Sequence, residues 1–447
     1  TLNFNVYKNP LKTVNIVYPP IHFNISKKDN QLDLLALKDN IENIELSDLV
    51  GSNGLKQCMN YTNQFRQFEY KSECLKHYGP IFNQKHLIHY SCKLSEVVKQ
   101  IKQSKGVVLI YSQFIESGCI PIALALEEMG MQRSNATEST NLFKTPPTDE
   151  IDAVSLLPKK EHQMKSNKPF RGAKYTMITG NIYLSPNNKD EVLAATNETN
   201  LYGNDVKVII ISKAGSEGID FKFIRQIHII DPWHNLYRNE QTIGRGVRYC
   251  SHSLLPFKER NVEIYTYTSI LHKDQENSDY EVIDMEMYRF AEEKALQIGK
   301  VSRIIKQNSV DCILNKGLQE NESTKSVYEI SLSSGIDIKY NIDDKPFSGL
   351  CDYMDTCNYG CLPDKNFTNK SERFGYDLST YQSHYMESES EYIIKKIRQL
   401  FKHRYVFNKD ELIQEISINN TYTIESINYA LTKMIEDHNI ILKDMFG

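Results

Sequence analysis

Val206-Lys-Val-Ile-Ile-Ile-Ser-Lys-Ala-Gly-Ser-Glu-Gly-Ile-Asp220 and the run Gln226-Ile-His-Ile-Ile-Asp231-Pro-Trp-His-Asn-Leu-Tyr-Arg-Asn-Glu-Gln-Thr-Ile-Gly-Arg-Gly-Val-Arg248 decide the fold. The first opens on a continuous apolar stretch, which suits a strand buried on both faces of a parallel sheet. Gly215 and Gly218 then make a turn where backbone can approach a ligand closely. Residues 226–230 read as a second buried strand. A helix over 238–247 follows, with Gln241, Arg245 and Arg248 at spacings of four and three. At 3.6 residues per turn these side chains fall within roughly 60° of one another. Two guanidinium groups on one face can grip the terminal phosphates of a nucleotide, because their planar forks match phosphate oxygens and never lose charge. Supplied across a cleft, such an arginine stabilises charge in phosphoryl transfer. Taken alone, the helix reads equally well as a solvated one with two arginines. Its neighbours decide for the chemistry.

Working outward, the pattern is regular. Helices are expected near 92–104, 118–129 and 188–197, and strands at 107–111, 175–179, 206–211, 226–230 and 262–267. Alternating strands and helices imply an α/β fold, a parallel sheet with helices on both faces. Ser112, Gln113, Thr179, Gly180, Ser212 and Lys213 follow the expected strands directly. In such sheets ligands bind beyond the carboxyl ends of the strands.

Strand, glycine turn, strand and Gln/Arg helix together resemble motifs V and VI of superfamily-2 helicases. Gly106-Val-Val-Leu-Ile-Tyr-Ser-Gln-Phe114 resembles the motif IV strand that opens the second RecA-like lobe, and Tyr175-Thr-Met-Ile-Thr-Gly180 the strand after it. Ile110-Tyr-Ser-Gln-Phe114, Leu126-Glu-Glu-Met-Gly130, Asn197-Glu-Thr-Asn-Leu-Tyr-Gly203 and Asp311-Cys-Ile-Leu-Asn315 are similar to segments of the helicases of nucleocytoplasmic large DNA viruses. That family includes the ATPase subunit of the poxvirus early transcription factor, nucleoside triphosphatase I, and asfarvirus and mimivirus homologues. The resemblance covers residues 85–320. It implies an ATP-dependent helicase or nucleoside triphosphatase acting on nucleic acid, DNA before RNA, in viral transcription, located in host cytoplasm (the viral factory) and the virion. It implies arginine fingers at Arg245 and Arg248, with Gln241 positioning them or the attacking water. Glu217, Gly218 and Asp220 would couple the nucleotide cleft to the nucleic-acid track, and the strand-end residues, Ser112 to Lys213, would touch nucleic acid.

No Gly-x-x-x-x-Gly-Lys-Ser/Thr phosphate loop occurs in the 447 residues. Gly299-Lys300 is followed by Val301 within a helical pattern, and Asp149-Glu-Ile-Asp152 follows Pro146-Pro147, not a buried strand, so neither is a nucleotide motif. The expectation is that a first lobe, lying before residue 1, binds most of the ATP and Mg²⁺, and that this chain is inactive alone. Two other readings stay open: a duplex-DNA translocase like Swi/Snf-type remodellers, without strand separation, and a non-catalytic scaffold subunit. Gln241, Arg245 and Arg248 standing together argue against the scaffold.

Composition bounds the rest. Length suggests two to four domains. With 40% hydrophobic and 25% charged residues the chain has a core, and a net charge of −4 requires a nucleic-acid partner to be met by local basic patches. No run of 18 apolar residues predicts a membrane span. Of nine cysteines, Cys58, Cys74, Cys92, Cys119, Cys250 and Cys312 are scattered and expected to be reduced. Cys351, Cys357 and Cys361 invite a zinc reading, with His384 or Cys312 as fourth ligand. Their spacings depart from the usual paired knuckle, so a packed loop is expected and no metal site is assigned.

The expected divisions are an inter-lobe region (1–90), the helicase lobe (91–275), a helical extension (276–320), an irregular Cys/Tyr-containing region (321–387) and a winged-helix-like module (388–447). Val14–Tyr18 reads as a strand ended by Pro19-Pro20. Residues 133–172 read as a long loop, and 155–174 set Lys159, Lys160, Lys165, Lys168, Arg171 and Lys174 against Glu161 alone. That loop is either a phosphate contact or simply solvated. Asp279 is a candidate N-cap for a helix over 279–306. In the last module three amphipathic helices precede a strand at Ile440-Ile-Leu442. The third is acidic apart from Lys433, which favours a protein-contact or structural role over DNA reading.

Overall fold

The computed structural model describes residues 4–20, 45–134, 141–186, 188–213, 219–270, 281–319, 327–362, 379–418 and 421–443. The chain divides into two compact units, residues 1–364 and 365–447.

In the first unit a short antiparallel pair, β1 (Met59–Asn60) and β2 (Glu69–Tyr70), precedes the main sheet. The sheet consists of β3 (Val107–Tyr111), β4 (Gln132–Arg133), β5 (Lys174–Ile178), β6 (Val208–Ile211), β7 (Ile224–Ile229) and β8 (Glu263–Thr266). Its order is β4-β5-β6-β3-β7-β8, with every pairing parallel. β3 sits centrally because its five residues are all buried, and successive side chains feed opposite cores. Val108 and Ile110 join Leu94, Val97 and Leu124 on one face, while Val107, Leu109 and Tyr111 join Ala195, Phe221 and Ile227 on the other. Helices Cys92–Ile101 and Ile120–Glu128 supply the first face; Asn188–Thr196 and Leu236–Gly246 supply the second. In register, Tyr111 lies opposite Ile211 and Ile229, and Ile178 opposite Ile211. The carboxyl ends of the four inner strands are therefore level. This is the doubly covered parallel sheet of a RecA-like lobe.

Several expectations need correction. Val14 belongs to helix Phe4–Asn15, not to a strand. Beyond it, Val17 and Tyr18 donate to the carbonyls of Tyr90 and Leu49 and have no strand partner. Residues 45–90 pack on the sheet, with Leu55, Phe68, Ile81 and Phe82 part of the first core. The expected loop over 133–172 contains helix Lys159–Lys165 and pairs its two arms, with Ala153 N–H donating to Arg171 O and Ala173 N–H to Ile151 O. Buried Asp152 organises that ribbon by accepting from the N–H groups of Val154, Ser155 and Arg171.

The long helix runs from Ile283 to Asn308 and a second from Val310 to Gln319, while Asp279 lies outside the described residues. Within the region expected to be irregular, β9 (Val327–Ser331) and β10 (Asp337–Asn341) form an antiparallel hairpin. The cysteine reading also changes. Cys312 bonds Cys361 and Cys351 bonds Cys357, so these four are disulfides, while Cys58, Cys74, Cys92, Cys119 and Cys250 are free. The loop that carries them is anchored by Arg303, which pairs with Asp352 at 2.7 Å and donates to the carbonyls of Cys351 and Thr356.

In the second unit helices Ser379–Phe401, Lys409–Ser417 and Ile424–Glu436 close on a core of Ile393, Ile397, Leu412, Ile416, Ile427 and Ala430. The first helix begins before the expected boundary at 388. The strand at Ile440–Leu442 does not form, and among the described residues of this unit no other strand is available to pair with it.

Candidate functional site

The carboxyl edge of the sheet gathers most of the residues singled out in the sequence. Ser112 and Gln113 follow β3, Thr179 and Gly180 follow β5, Ser212 and Lys213 follow β6, and Asp231 follows β7. Their exposure separates them. Ser112, Thr179 and Ser212 are buried; Gly180 and Lys213 are exposed; Gln113 is half-buried.

Ser112 and Thr179 have internal work. Ser112 donates its hydroxyl to Asp231 Oδ2 at 2.6 Å, and Gln113 donates its backbone N–H to the same oxygen at 2.7 Å. Asn15 donates to Oδ1. Gln113 Nε2 reaches Pro232 O at 3.3 Å. Lys93, itself buried, donates to Asn15 Oδ1 at 3.2 Å and pairs with buried Asp284 at 2.6 Å. Asp231 therefore ties the end of β7 to the end of β3, and through Asn15 and Lys93 to helix Ile283–Asn308. Burial pushes its carboxyl above the ordinary range, while Asn15, Ser112, Lys93 and Gln113 pull it down. The turn 115–119 fits over Ser112 only because residue 118 is glycine; a Cβ there would stand 1.9 Å from Ser112 Oγ. Thr179 is likewise spent locally, sharing a 3.0 Å bond with Ser185 Oγ.

The arginine helix, Leu236–Gly246, starts two residues before the expected 238–247 and ends one residue short of it. Asn235 caps it by accepting from Tyr237 N–H, and it ends at Gly246. A Cβ on Gly246 would lie 2.9 Å from Ile227 Cδ1, so glycine lets the last turn rest on β7. Val247 leaves helical geometry (φ −109°, ψ 89°), and Arg248 falls beyond the helix. Gln241 and Arg245 keep the expected i, i+4 relation; Arg248 reaches the same region from the following turn. Arg245 Nη1 donates to Ile219 O at 3.2 Å, and Arg248 pairs with Asp220 at 2.5 Å. The fold thus brings Asp220, Arg245 and Arg248 together. Arg245 Nε is buried and has no hydrogen-bond partner among the described residues. Glu217 and Gly218 lie outside the described residues.

Comparison with known proteins fits this edge. Residues 125–250 match the family described as the helicase conserved C-terminal domain. A protein of Acanthamoeba polyphaga mimivirus, whose name proposes an ATP-dependent RNA helicase, is 24% identical over 78% of this chain and 31% of its own length. The termination factor NPH-I homolog of African swine fever virus is 27% identical over 50% of this chain and 33% of its own. A protein of Invertebrate iridescent virus 3, named as a proposed helicase, is 29% identical over 68% of this chain and 26% of its own. The chain is similar to the superfamily-2 helicases of large DNA viruses, and the match to the helicase C-terminal domain lies on the sheet and the arginine helix. It spans about a third or less of the length of these relatives.

Two features of this helicase lobe escaped the sequence reading. One is the Asp231 hub. A strand ending in Asp-Pro gave the only local signal, and Asn15 and Lys93 are too distant in sequence to suggest it. The other is Arg238, whose guanidinium stacks 4.0 Å from the centroid of Trp233, the chain's single tryptophan. No group of three or more His, Cys, Asp or Glu side chains able to hold a metal occurs among the described residues, and no described helix is long and apolar enough to cross a membrane.

Proposed function

We propose that this lobe completes the nucleotide site of an ATP-dependent nucleic-acid helicase or translocase serving viral transcription, with DNA as the preferred track. The carrying observation is the convergence of Arg245 and Arg248 on the 219–220 segment. The two guanidinium groups fit the terminal phosphates of a nucleotide held by a second lobe. ATP with its magnesium supplies the phosphoryl group and part of the neutralising charge. Arg245 binds the γ-phosphate oxygens as negative charge develops. Arg248 exchanges Asp220 for phosphate, and Gln241, one turn before Arg245, orients the finger or the attacking water. Glu217, Gly218 and Asp220 transmit that exchange to the strand-end residues.

For contact with nucleic acid, Gln113, Gly180 and Lys213 are the accessible members of the set. Ser112, Thr179 and Ser212 act from beneath, by fixing the loops. The test is phosphate release by a polypeptide that joins this lobe to a phosphate-loop lobe, with and without DNA. Stimulation by DNA is expected, and hydrolysis indifferent to nucleic acid contradicts the reading.

A further inference from the structure

At the opposite end of the sheet, the ribbon 151–173 continues the amino ends of β4 and β5. Ile151 N–H donates to Gly130 O, Gln132 N–H to Ala173 O, and Lys207 N–H to Lys174 O. β5 places this ribbon about 16 Å from Thr179 and Gly180, at ~3.3 Å per residue. The ribbon and the first residue of β5 carry Lys159, Lys160, Lys165, Lys168, Arg171 and Lys174, all exposed. Only Lys165 forms an ion pair among the described residues, with Glu161.

A solvated loop would hold these cations loosely. Here the ribbon is braced from within. Asp152 is buried and accepts from Val154, Ser155 and Arg171 N–H groups and from the Ser155 hydroxyl at 2.9 Å. His162, also buried, bonds Ser155 Oγ through Nδ1 and Lys168 O through Nε2, both at 2.9 Å. The backbone is thereby anchored at Lys168 and Arg171, which flank Phe170 in sequence, and Lys159 sits over the Phe170 ring at 5.4 Å. Beside them opens a cleft of about 390 Å³ lined by Ser155, Ser166, Lys168, Arg171 and Asn204. Besides Glu161, paired with Lys165, two carboxylates lie close. Asp152 is saturated by its own bonds, and Glu150, near Gly172, holds Gln132.

We propose that this braced ribbon is a second nucleic-acid contact, binding the phosphate backbone of duplex DNA at the amino edge of the sheet, away from the arginine cleft. Six cations spread along a ribbon match a repeating polyanion better than one small anion, which needs convergent donors. Backbone phosphates are also the contacts that carry no sequence preference. The inference rests on the nucleic-acid reading above.

The experiment is a fluorescence titration of the 447-residue chain with labelled duplex DNA at several salt concentrations. Wild type is compared with Lys160→Gln/Lys168→Gln/Arg171→Gln and with a control, Lys76→Gln/Lys85→Gln/Lys300→Gln. The altered side chains are all exposed, so both variants should fold. The ribbon variant should bind about tenfold or more weakly. Its slope of log K against log salt should be shallower by about 2–3, since each lost phosphate contact removes roughly 0.9. The control should stay within about twofold to threefold. If wild type binds and the ribbon variant keeps its affinity and slope, this inference fails and the nucleic-acid reading stands. If both variants weaken alike, net charge and not the ribbon governs binding, and the inference also fails. If wild type binds no DNA even at low salt, the nucleic-acid reading fails and takes this one with it.

Discussion

Asp231 shows how one carboxylate can set a site without facing solvent. Three donors from two segments, Asn15 and the pair Ser112–Gln113, converge on it, and each left unsatisfied in the interior costs about 1–3 kcal/mol. Asp231→Ala should therefore lower stability by about 3–5 kcal/mol, and Asp231→Asn by clearly less, read from urea midpoints. A loss under about 1 kcal/mol for the alanine variant would show that the hub is relaxed by other partners. Arg248 and Asp220 make the contrasting case. Their side chains are 40% and 64% exposed, and exposed pairs contribute about 0–1 kcal/mol. Asp220→Ala should barely move the unfolding temperature. At this scale the sequence was partly legible. Gln241 and Arg245 share the helix Leu236–Gly246 at a spacing of four, and Asp220 pairs with Arg248. Arg248 lies off the helix because Gly246 ends it against β7. Ser112 and Thr179 proved inward-facing, since alternation along a buried strand does not say whether the next polar residue is spent inside.

Among the elements, the sheet was the most legible, because β-branched runs such as Val208–Ile211 admit few other readings. The ribbon at 151–173 was the least, because buried Asp152 and His162 hold it, and neither belongs to an apolar pattern. The sheet also carries a pH signature. His228 on β7 is fully buried, stacks on Tyr265 at 4.8 Å and bonds Tyr267 OH at 2.7 Å. Burial lowers its imidazole to about 3. Below about pH 6.5 the unfolded chain takes up a proton there that the folded chain refuses, so stability falls by about 1.4 kcal/mol per unit from this group. Above that pH its contribution is complete.

Glu127 runs the other way. Burial raises it to about 7, against bonds from Tyr175, Phe143 and Leu142. Its contribution is full below about pH 4.5 and is lost as pH rises through 7. The comparison of wild type with His228→Gln isolates the histidine. Between pH 6.5 and 5.0 wild type should lose about 2 kcal/mol more than the variant. Equal losses would contradict the assignment. The disulfides give a simpler check. Alkylation of the denatured, unreduced chain should modify the five free cysteines and spare Cys312, Cys351, Cys357 and Cys361. Nine modified cysteines would return the cluster to thiols.

At the scale of the whole molecule the two units make separable contributions. The second has its own core and an acidic third helix carrying Glu425 and Glu436 beside Lys433. Removing residues 365–447 should leave DNA affinity nearly intact at fixed salt. A tenfold loss with a shallower salt dependence would make that unit a DNA reader. The central claim concerns the first unit: its arginine helix acts on the transition state of nucleotide hydrolysis. The most direct measurement is the turnover and nucleotide affinity of Arg245→Ala and Arg245→Lys, in a polypeptide that joins this lobe to a phosphate-loop lobe. A finger of this kind contributes on the order of 10³-fold to turnover, and a lysine lacks the bidentate fork. The account predicts turnover reduced on that order in both variants, with nucleotide affinity much less changed. Turnover equal to wild type in either variant would contradict it.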